Sequence, residues 1–268
     1  MVLNLSKKVF SKITTEIERG IKLYFRNGIW LLSDIISTPF WVIFLFLTIV
    51  FYAQYLLKDV NALTSLMWGI FIFILMNSFI WAGNSIVQSV TNGIVDGVIL
   101  TNTNITIHLL GRSIMSVFDS FISGIIALLT ASYIFGSSLL IHNLPLFFAS
   151  LIIALIFYSL FASVYAALIV SLRSPWIVSN VLNFILPFLS GAIPPQLFPK
   201  SVANILLFSP FYYISGQIVS AATGIYLINP TIMLIISIII TVVMVFISNF
   251  ISKKLIQSMS KEGKASLI

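Results

Sequence analysis

The residues that could carry out chemistry in this chain are few and widely spaced. Its 268 residues include seven acids, two histidines and no cysteine. The absence of cysteine excludes disulfides, iron–sulfur clusters and thiolate zinc sites. The histidines, His108 and His142, lie far apart in sequence. The motifs D-x-x-x-D, H-E-x-x-H, G-x-S-x-G and G-x-x-x-x-G-K-[ST] do not occur, so we expect no ATP binding through a phosphate loop of this chain.

Two acids, Asp34 and Asp119, fall within apolar runs of the sequence. An ionisable side chain is costly in a bilayer and often marks a functional site. Arg112 lies two helical turns before Asp119, so these three residues are candidates for an intramembrane polar network. The alternative is that each acid finds a polar partner at the headgroup level, because each lies towards one end of its run.

The composition predicts a protein that is solvated mainly by lipid. The chain is 59% hydrophobic and 8% charged, with a mean hydropathy of +1.12. A soluble domain carries about 25% charged residues, and so few charges cannot build a polar outer surface. The formal net charge of +7 is typical of basic cytoplasmic flanks on a membrane protein, so we expect a bilayer and no nucleic acid as its surroundings.

Six apolar runs are long enough for transmembrane helices, which need about 20 residues each. They show no period-two alternation, so we predict an all-α integral membrane protein. The predicted spans are Ile29–Leu56, Leu63–Trp81, Ser113–Phe135, Pro145–Ser171, Pro175–Ile193 and Pro230–Ser252.

The placement of Lys and Arg predicts the orientation of these spans. Alternating spans put 12 of the 14 basic residues on one side, leaving Lys58 and Lys200 on the other. We therefore expect both termini in the cytoplasm, together with the loop 83–111, and the chain in the cell membrane.

Residues 1–28 are predicted to form a separate element, an amphipathic helix lying along the inner membrane surface. Its apolar stripe recurs every three or four residues, at Phe10, Ile13, Ile17, Ile21 and Tyr24.

The fifth span is predicted to break after Pro187. The following residues, 194–228, are strongly apolar, carry one charge (Lys200) and are interrupted by Pro199, Ser209 and Pro210. A long apolar segment on the external side, with breaks near its centre, is typical of a re-entrant helical pair that is packed on protein. The alternative is an amphipathic loop on the membrane surface.

The cytoplasmic loop contains the stretch NGIVDGVILTN, residues 92–102, with Asp96 as its one charge. This stretch resembles the E-G-T-L-E-x-L-L-x-T-P loop of the type-2 ATP-binding-cassette (ABC) transporter permeases. HLLGRSI, which follows, is similar to the L-L-G-K of that family. FPKSVANILLFSPFYY is similar to its F-P … P-W-L … N-P-L-T-Y, with Tyr213 matching the Tyr. The order of these segments, the six spans and the cytoplasmic termini extend the resemblance over the whole chain, as a single permease domain of residues 1–268.

The resemblance implies a function for the loop. In that family it forms a coupling helix that inserts into a groove of the ATPase subunit. Here the contact residues would be Gly93, Val95, Asp96, Val98, Ile99, Thr101 and Asn102. A covered surface needs little charge, and Asp96 would be its one directional polar contact. Asn92 stands where the family has its first Glu, so the contact is expected to be less charged than usual.

The resemblance also implies the partners. The chain would pair with an identical or a different permease and dock on a separate ATPase chain, which would hold ATP and magnesium. It would export a hydrophobic drug, a lipid or a glycan, with its outer gate at Pro187, Pro199, Ser209, Pro210 and Tyr213. One alternative is a secondary transporter that is coupled to ions through Asp34 and Asp119. A second is an intramembrane lipid-modifying enzyme, which would need clustered acids or histidines.

Overall fold

Helices make up the regular structure of the chain. The structure, a computed structural model, describes residues 28–52, 60–91, 105–136, 139–170, 175–193, 195 and 198–261, together with positions 11, 14, 15, 18, 21, 22, 25 and 26. Within these residues there are helices and no β-strand. The prediction of an all-helical chain is confirmed over this part of the sequence.

Helices occupy the described parts of the six apolar runs, with ends that differ from the predicted ones. They are α1 (Gly28–Tyr52), α2 (Val60–Thr91), α3 (Ile105–Phe135), α4 (Leu144–Val170), α5 (Pro175–Leu189), α6 (Lys200–Leu206), a π-helical segment (Tyr212–Gly216), α7 (Gln217–Thr223) and α8 (Pro230–Lys261). Helices α2, α4 and α8 contain stretches that are long and apolar enough to cross a membrane, namely Val60–Asn84, Leu144–Ala166 and Pro230–Ile251. Helices α1, α3 and α5 contribute shorter apolar stretches, Ile35–Phe44, Asp119–Ile134 and Ile177–Leu189. The chain therefore has the character of a membrane-associated protein.

Turn residues in the sequence explain where several helices begin and end. The backbone N–H of Leu146 donates to Asn143 Oδ1 (3.1 Å) at the start of α4, and that of Thr231 donates to Asn229 Oδ1 (2.9 Å) at the start of α8. Each bond satisfies one of the backbone donors that a helix start leaves without an intrahelical partner. At the other end, Gly136 follows α3 with φ 65°, a left-handed conformation that ends helices and favours glycine.

Helix α2 lies at the centre of the bundle. Of its apolar stretch, 72% is buried inside the protein, against 22% for that of α8. It packs against α3, α4 and α5, and its residues Met67, Phe79 and Ile80 are fully buried. The ring of Phe79 stacks on that of Tyr158 from α4, with centroids 5.7 Å apart. The apolar side chains of α2 are thus largely buried among other helices.

The segment after α5 forms a helical pair whose tip lies beside the middle of α4. The Phe211 ring contacts those of Phe157 and Phe161, at centroid distances of 5.7 and 5.3 Å. From this tip the π-helical segment and α7 run back to the N-terminal end of α4. There the backbone N–H groups of residues 142 and 143 donate to the carbonyls of residues 222 and 221, at 3.0 and 2.9 Å. The predicted break of the fifth span is confirmed, because α5 ends at Leu189.

The described positions between residues 11 and 26 are helical. The Lys22 ammonium donates to the Glu18 carboxylate at 2.6 Å, and this hydrogen bond and charge lower the pKa of the exposed Glu18 carboxyl. Ile21, from the predicted apolar stripe, is partly buried. The other members of that stripe, Phe10, Ile13, Ile17 and Tyr24, lie outside the described residues.

Candidate functional site

A groove of about 510 Å³ opens between α1, α2, α3 and α5. The lining residues of α2 are spaced as one face of a helix, from Ile70 through Ile74 and Asn77 to Trp81. Those of α3, Asp119 and Ser123, are four residues apart, and those of α5 are Asn180, Asn183 and Phe184. Helix α1 supplies Ser37, Thr38, Trp41 and Val42. The groove is therefore built from one face of each of four helices.

The polar side chains of the groove distinguish it from a surface that faces lipid. Ten of the lining residues carry a side-chain group that can form hydrogen bonds: Ser37, Thr38, Trp41, Asn77, Ser78, Trp81, Asp119, Ser123, Asn180 and Asn183. Polar groups within spans usually face the bundle interior or a water-filled cavity. The Asn183 Oδ1 atom is buried and has no hydrogen-bond partner among the described residues. A ligand in the groove could therefore form hydrogen bonds with these polar side chains.

Asp119 is the predicted acid whose side chain the structure describes, and it lies in this groove, partly buried. Because α3 begins at Ile105, Asp119 is midway along the helix, although the sequence indicated a position near the start of a span at Ser113. The backbones of Asp34 and Arg112 are helical, in α1 and α3. Their side chains lie outside the described residues, so the predicted network of these three residues stays a prediction.

A buried cluster of hydrogen bonds fixes α5 beside the groove. Tyr165 from α4 donates to Asn84 Oδ1 of α2 (3.1 Å), and the Ser179 hydroxyl of α5 donates to the same oxygen (2.8 Å). The two hydroxyls are themselves 2.6 Å apart. All three residues are buried, and these contacts give both hydroxyls and the amide oxygen a partner inside the bundle. Because Ser179 immediately precedes Asn180, this cluster also sets the position of the groove residues on α5.

The residues predicted for the outer gate occupy different parts of the helical pair. Pro187 lies inside α5 and Pro199 precedes α6. Ser209 is buried at the tip, and its Oγ has no hydrogen-bond partner among the described residues, whereas the neighbouring Pro210 is exposed. The Tyr213 carbonyl accepts a hydrogen bond from the Ser237 hydroxyl of α8 at 2.6 Å. Ser209, Pro210 and Tyr213 are near neighbours in the chain, and the residues beside the two earlier prolines, Phe188 and Phe198, belong to the same apolar cluster as Tyr213.

Further polar contacts of the helical pair were not predicted from the sequence. The Tyr158 hydroxyl of α4 shares a buried hydrogen bond with Ser215. Gln217 is fully buried, and its side-chain amide donates to the Pro230 carbonyl at 3.1 Å. Ser215 and Gln217 lie in an apolar stretch of the sequence, where a buried polar side chain needs a hydrogen-bond partner. That requirement is a signal that sequence reasoning could have used for these two positions.

The predicted coupling residues belong to the loop between α2 and α3. Gly93, Val95, Asp96, Val98, Ile99, Thr101 and Asn102 all lie outside the described residues, between the end of α2 at Thr91 and the start of α3 at Ile105. Their role stays a prediction. Neither protein-family models nor curated proteins include a match to this chain.

Proposed function

We propose that this chain is the membrane-spanning subunit of an ABC exporter of the type-2 class. It would pair with a second permease, identical or different, and dock on a separate ATPase chain that holds ATP and magnesium. Both termini and the loop 83–111 would be cytoplasmic, and the chain would cross the cell membrane six times. Substrate would leave towards the outer side, past the helical pair.

The observation that carries this proposal is the helical pair itself. Its sequence, FPKSVANILLFSPFYY, is the late segment of the family resemblance, and its apolar pattern with central breaks predicts a re-entrant element. The tip of the pair packs beside the middle of α4, at Phe157 and Phe161, and its end returns to the start of α4. A segment that turns halfway along a spanning helix, packed on protein, fits a re-entrant element better than a surface loop.

The groove supports the assignment to transport. Drug-sized ligands occupy cavities of about 300–1,000 Å³, and the groove falls within this range. Its lining combines hydrogen-bonding side chains with Trp41, Phe73 and Trp81. Such a lining suits a substrate with apolar bulk and a few polar groups, such as a hydrophobic drug or a lipid.

An ion-coupled secondary transporter is a second candidate, and the position of Asp119 favours it. A carboxylate midway along a helix, in a groove with polar walls, is where a proton or sodium ion could be exchanged. The two functions differ in their energy source. A secondary transporter would work without an ATPase and would require Asp119, whereas an ABC permease would require the contact made by the loop 92–102.

The decisive experiment is purification of the tagged chain from its own cells, followed by photolabelling with an ATP analogue and vanadate trapping. We expect the label on a co-purifying ATPase chain and not on the permease. Asp96→Lys should reduce recovery of that ATPase or its substrate-stimulated hydrolysis, because loss of a charged contact at a covered site costs roughly 2–5 kcal/mol.

Asp59→Lys is the matched control, since it makes the same change on the side predicted to be extracytoplasmic. It should leave recovery and hydrolysis unchanged. Equal recovery and equal stimulation in the Asp96→Lys and unaltered chains would contradict the coupling role. Substrate transport by the permease alone in vesicles, lost in Asp119→Asn, would favour the secondary transporter.

A further inference from the structure

The groove between α1, α2, α3 and α5 has the chemistry of a site for positively charged ligands. We propose that it binds an organic cation with aromatic or aliphatic bulk, held through Asp119 and the indoles of Trp41 and Trp81. This inference deepens the proposed export function by naming a substrate class. It rests on that function only for the claim that the bound cation is exported.

The charge of the lining residues is the first step. Asp119 is acidic, and no Lys, Arg or His occurs among the residues described as lining the groove. A carboxylate within an apolar stretch of a bundle is stabilised by a partner of opposite charge. A ligand that carries an ammonium or phosphonium group supplies that partner, whereas an anionic ligand would meet repulsion.

The aromatic side chains of the groove are the second step. Trp41 and Trp81 are 63% and 52% exposed and line the groove, so part of each side chain lies at its opening. A cation is attracted to an aromatic face, most strongly to that of Trp, and the attraction grows as the site is desolvated. The rings also provide apolar area for the body of the ligand. A hydrophobic cation uses both the aromatic faces and the apolar area.

The asparagines are the third step. Asn77, Asn180 and Asn183 all line the groove, and the Asn183 Oδ1 atom accepts no hydrogen bond from the described residues. Amide oxygens can accept hydrogen bonds from the N–H groups of an ammonium ligand. A buried acceptor without a donor is costly, and a small shift of the side chain on binding would remove that cost. The preferred ligands are therefore cations, with N–H groups as an added source of affinity.

The test uses the full chain, purified without an ATPase and placed in nanodiscs of neutral lipid. Tetraphenylphosphonium is the probe, in equilibrium dialysis, with empty nanodiscs subtracted. Tetraphenylborate, with nearly the same shape and the opposite charge, is the matched ligand control. We expect saturable binding of the phosphonium and none of the borate. Asp119→Asn should weaken phosphonium binding by about tenfold or more, as expected for a lost charge pair.

Two further variants make the result specific. Glu18→Gln removes an exposed carboxylate outside the groove and should leave the affinity unchanged. Ser37→Lys adds a cation at an exposed position of the lining and should abolish phosphonium binding, with elution as a single species as the check on its folding. If Asp119→Asn fails to elute as a single species, Ser37→Lys decides alone.

Several results would overturn the proposal. They are the absence of saturable phosphonium binding to the unaltered chain, equal affinity for the borate, or unchanged affinity in Asp119→Asn and in Ser37→Lys. Because no ATPase is present, a failure here leaves the ATPase pairing untouched. Conversely, a failed Asp96→Lys experiment leaves the binding site untouched.

Discussion

The contact between α2 and the end of α5 provides the sharpest test of the packing. A Cβ atom built on Gly69 of α2 would lie 1.8 Å from the Ala192 carbonyl oxygen and 2.9 Å from its carbon. Ordinary contacts of a Cβ atom begin at 3.4 Å, so the two backbones would have to separate by 3.4 − 1.8 = 1.6 Å. Both partners are backbone, and no change of side-chain rotamer can relieve the clash.

The expected cost of Gly69→Ala follows from this distance. Overpacking a tight core costs about 1–3 kcal/mol, and a clash of this depth belongs at the upper end of that range. Alanine regains about 1 kcal/mol of helix propensity over glycine. The net loss should be roughly 2 kcal/mol or more of unfolding free energy, because the steric cost exceeds the gain in helix propensity.

The assay is thermal unfolding of the purified chain in detergent. The quantity measured is the fraction of protein that remains monodisperse after heating to each temperature. Gly28→Ala is the matched control, since a Cβ atom at Gly28 would have no heavy atom within 4 Å. It should leave the midpoint unchanged or raise it. If Gly69→Ala unfolds at the same temperature as the unaltered chain, α2 and the break after α5 do not make this contact.

The remaining predictions concern the helical pair and the topology. Tyr158→Phe removes the buried hydrogen bond to Ser215 and should lower the free energy of unfolding by about 0.6 kcal/mol, the average for such bonds in membranes. Tyr133→Phe, at a 91% exposed position, is the control and should cause no measurable change in the same unfolding assay. Equal midpoints for the two variants would contradict the anchoring role of Tyr158. Single cysteines at Asn61 or Asn204 should react with an impermeant thiol reagent in intact cells, and those at Ser6, Asn102 or Lys264 should not. Labelling at Asn102 from outside would reverse the orientation and remove the coupling role of its loop.

Much of the helical architecture could be predicted from the sequence, because long apolar runs bounded by Gly, Pro and Asn leave few alternatives to helices. The ends of α2 and α3 could not. Helix α2 continues past the predicted end at Trp81 to Thr91, and α3 begins at Ile105, before the predicted start at Ser113. Hydropathy detects where a helix is apolar, whereas hydrogen bonding continues into polar residues until a turn signal stops it.

The groove was only partly foreseen. Asp119 stood out in the sequence because an acid is costly in an apolar run. Asn77, Asn180 and Asn183 are neutral and carry no comparable penalty, so they attracted no prediction. The spacing of Asn180 and Asn183 by three residues does indicate one polar face of α5. What the spacing could not indicate is which other helices present their polar faces to it, since that depends on contacts between residues distant in sequence.

Those distant contacts explain how the groove keeps its shape. Helix α5 is held to α2 at both ends, by the hydrogen bonds of Ser179 with Asn84 at one and by the approach of Ala192 to Gly69 at the other. The face of α5 that carries Asn180 and Asn183 is thereby fixed beside the α2 face that carries Asn77. A motion of α5 away from α2 would have to break one of these two contacts. Ala192, which contacts Gly69, lies in the segment that leads from α5 into the helical pair. A movement of α5 at the groove and a movement of the helical pair at the proposed outer gate would therefore both involve this segment.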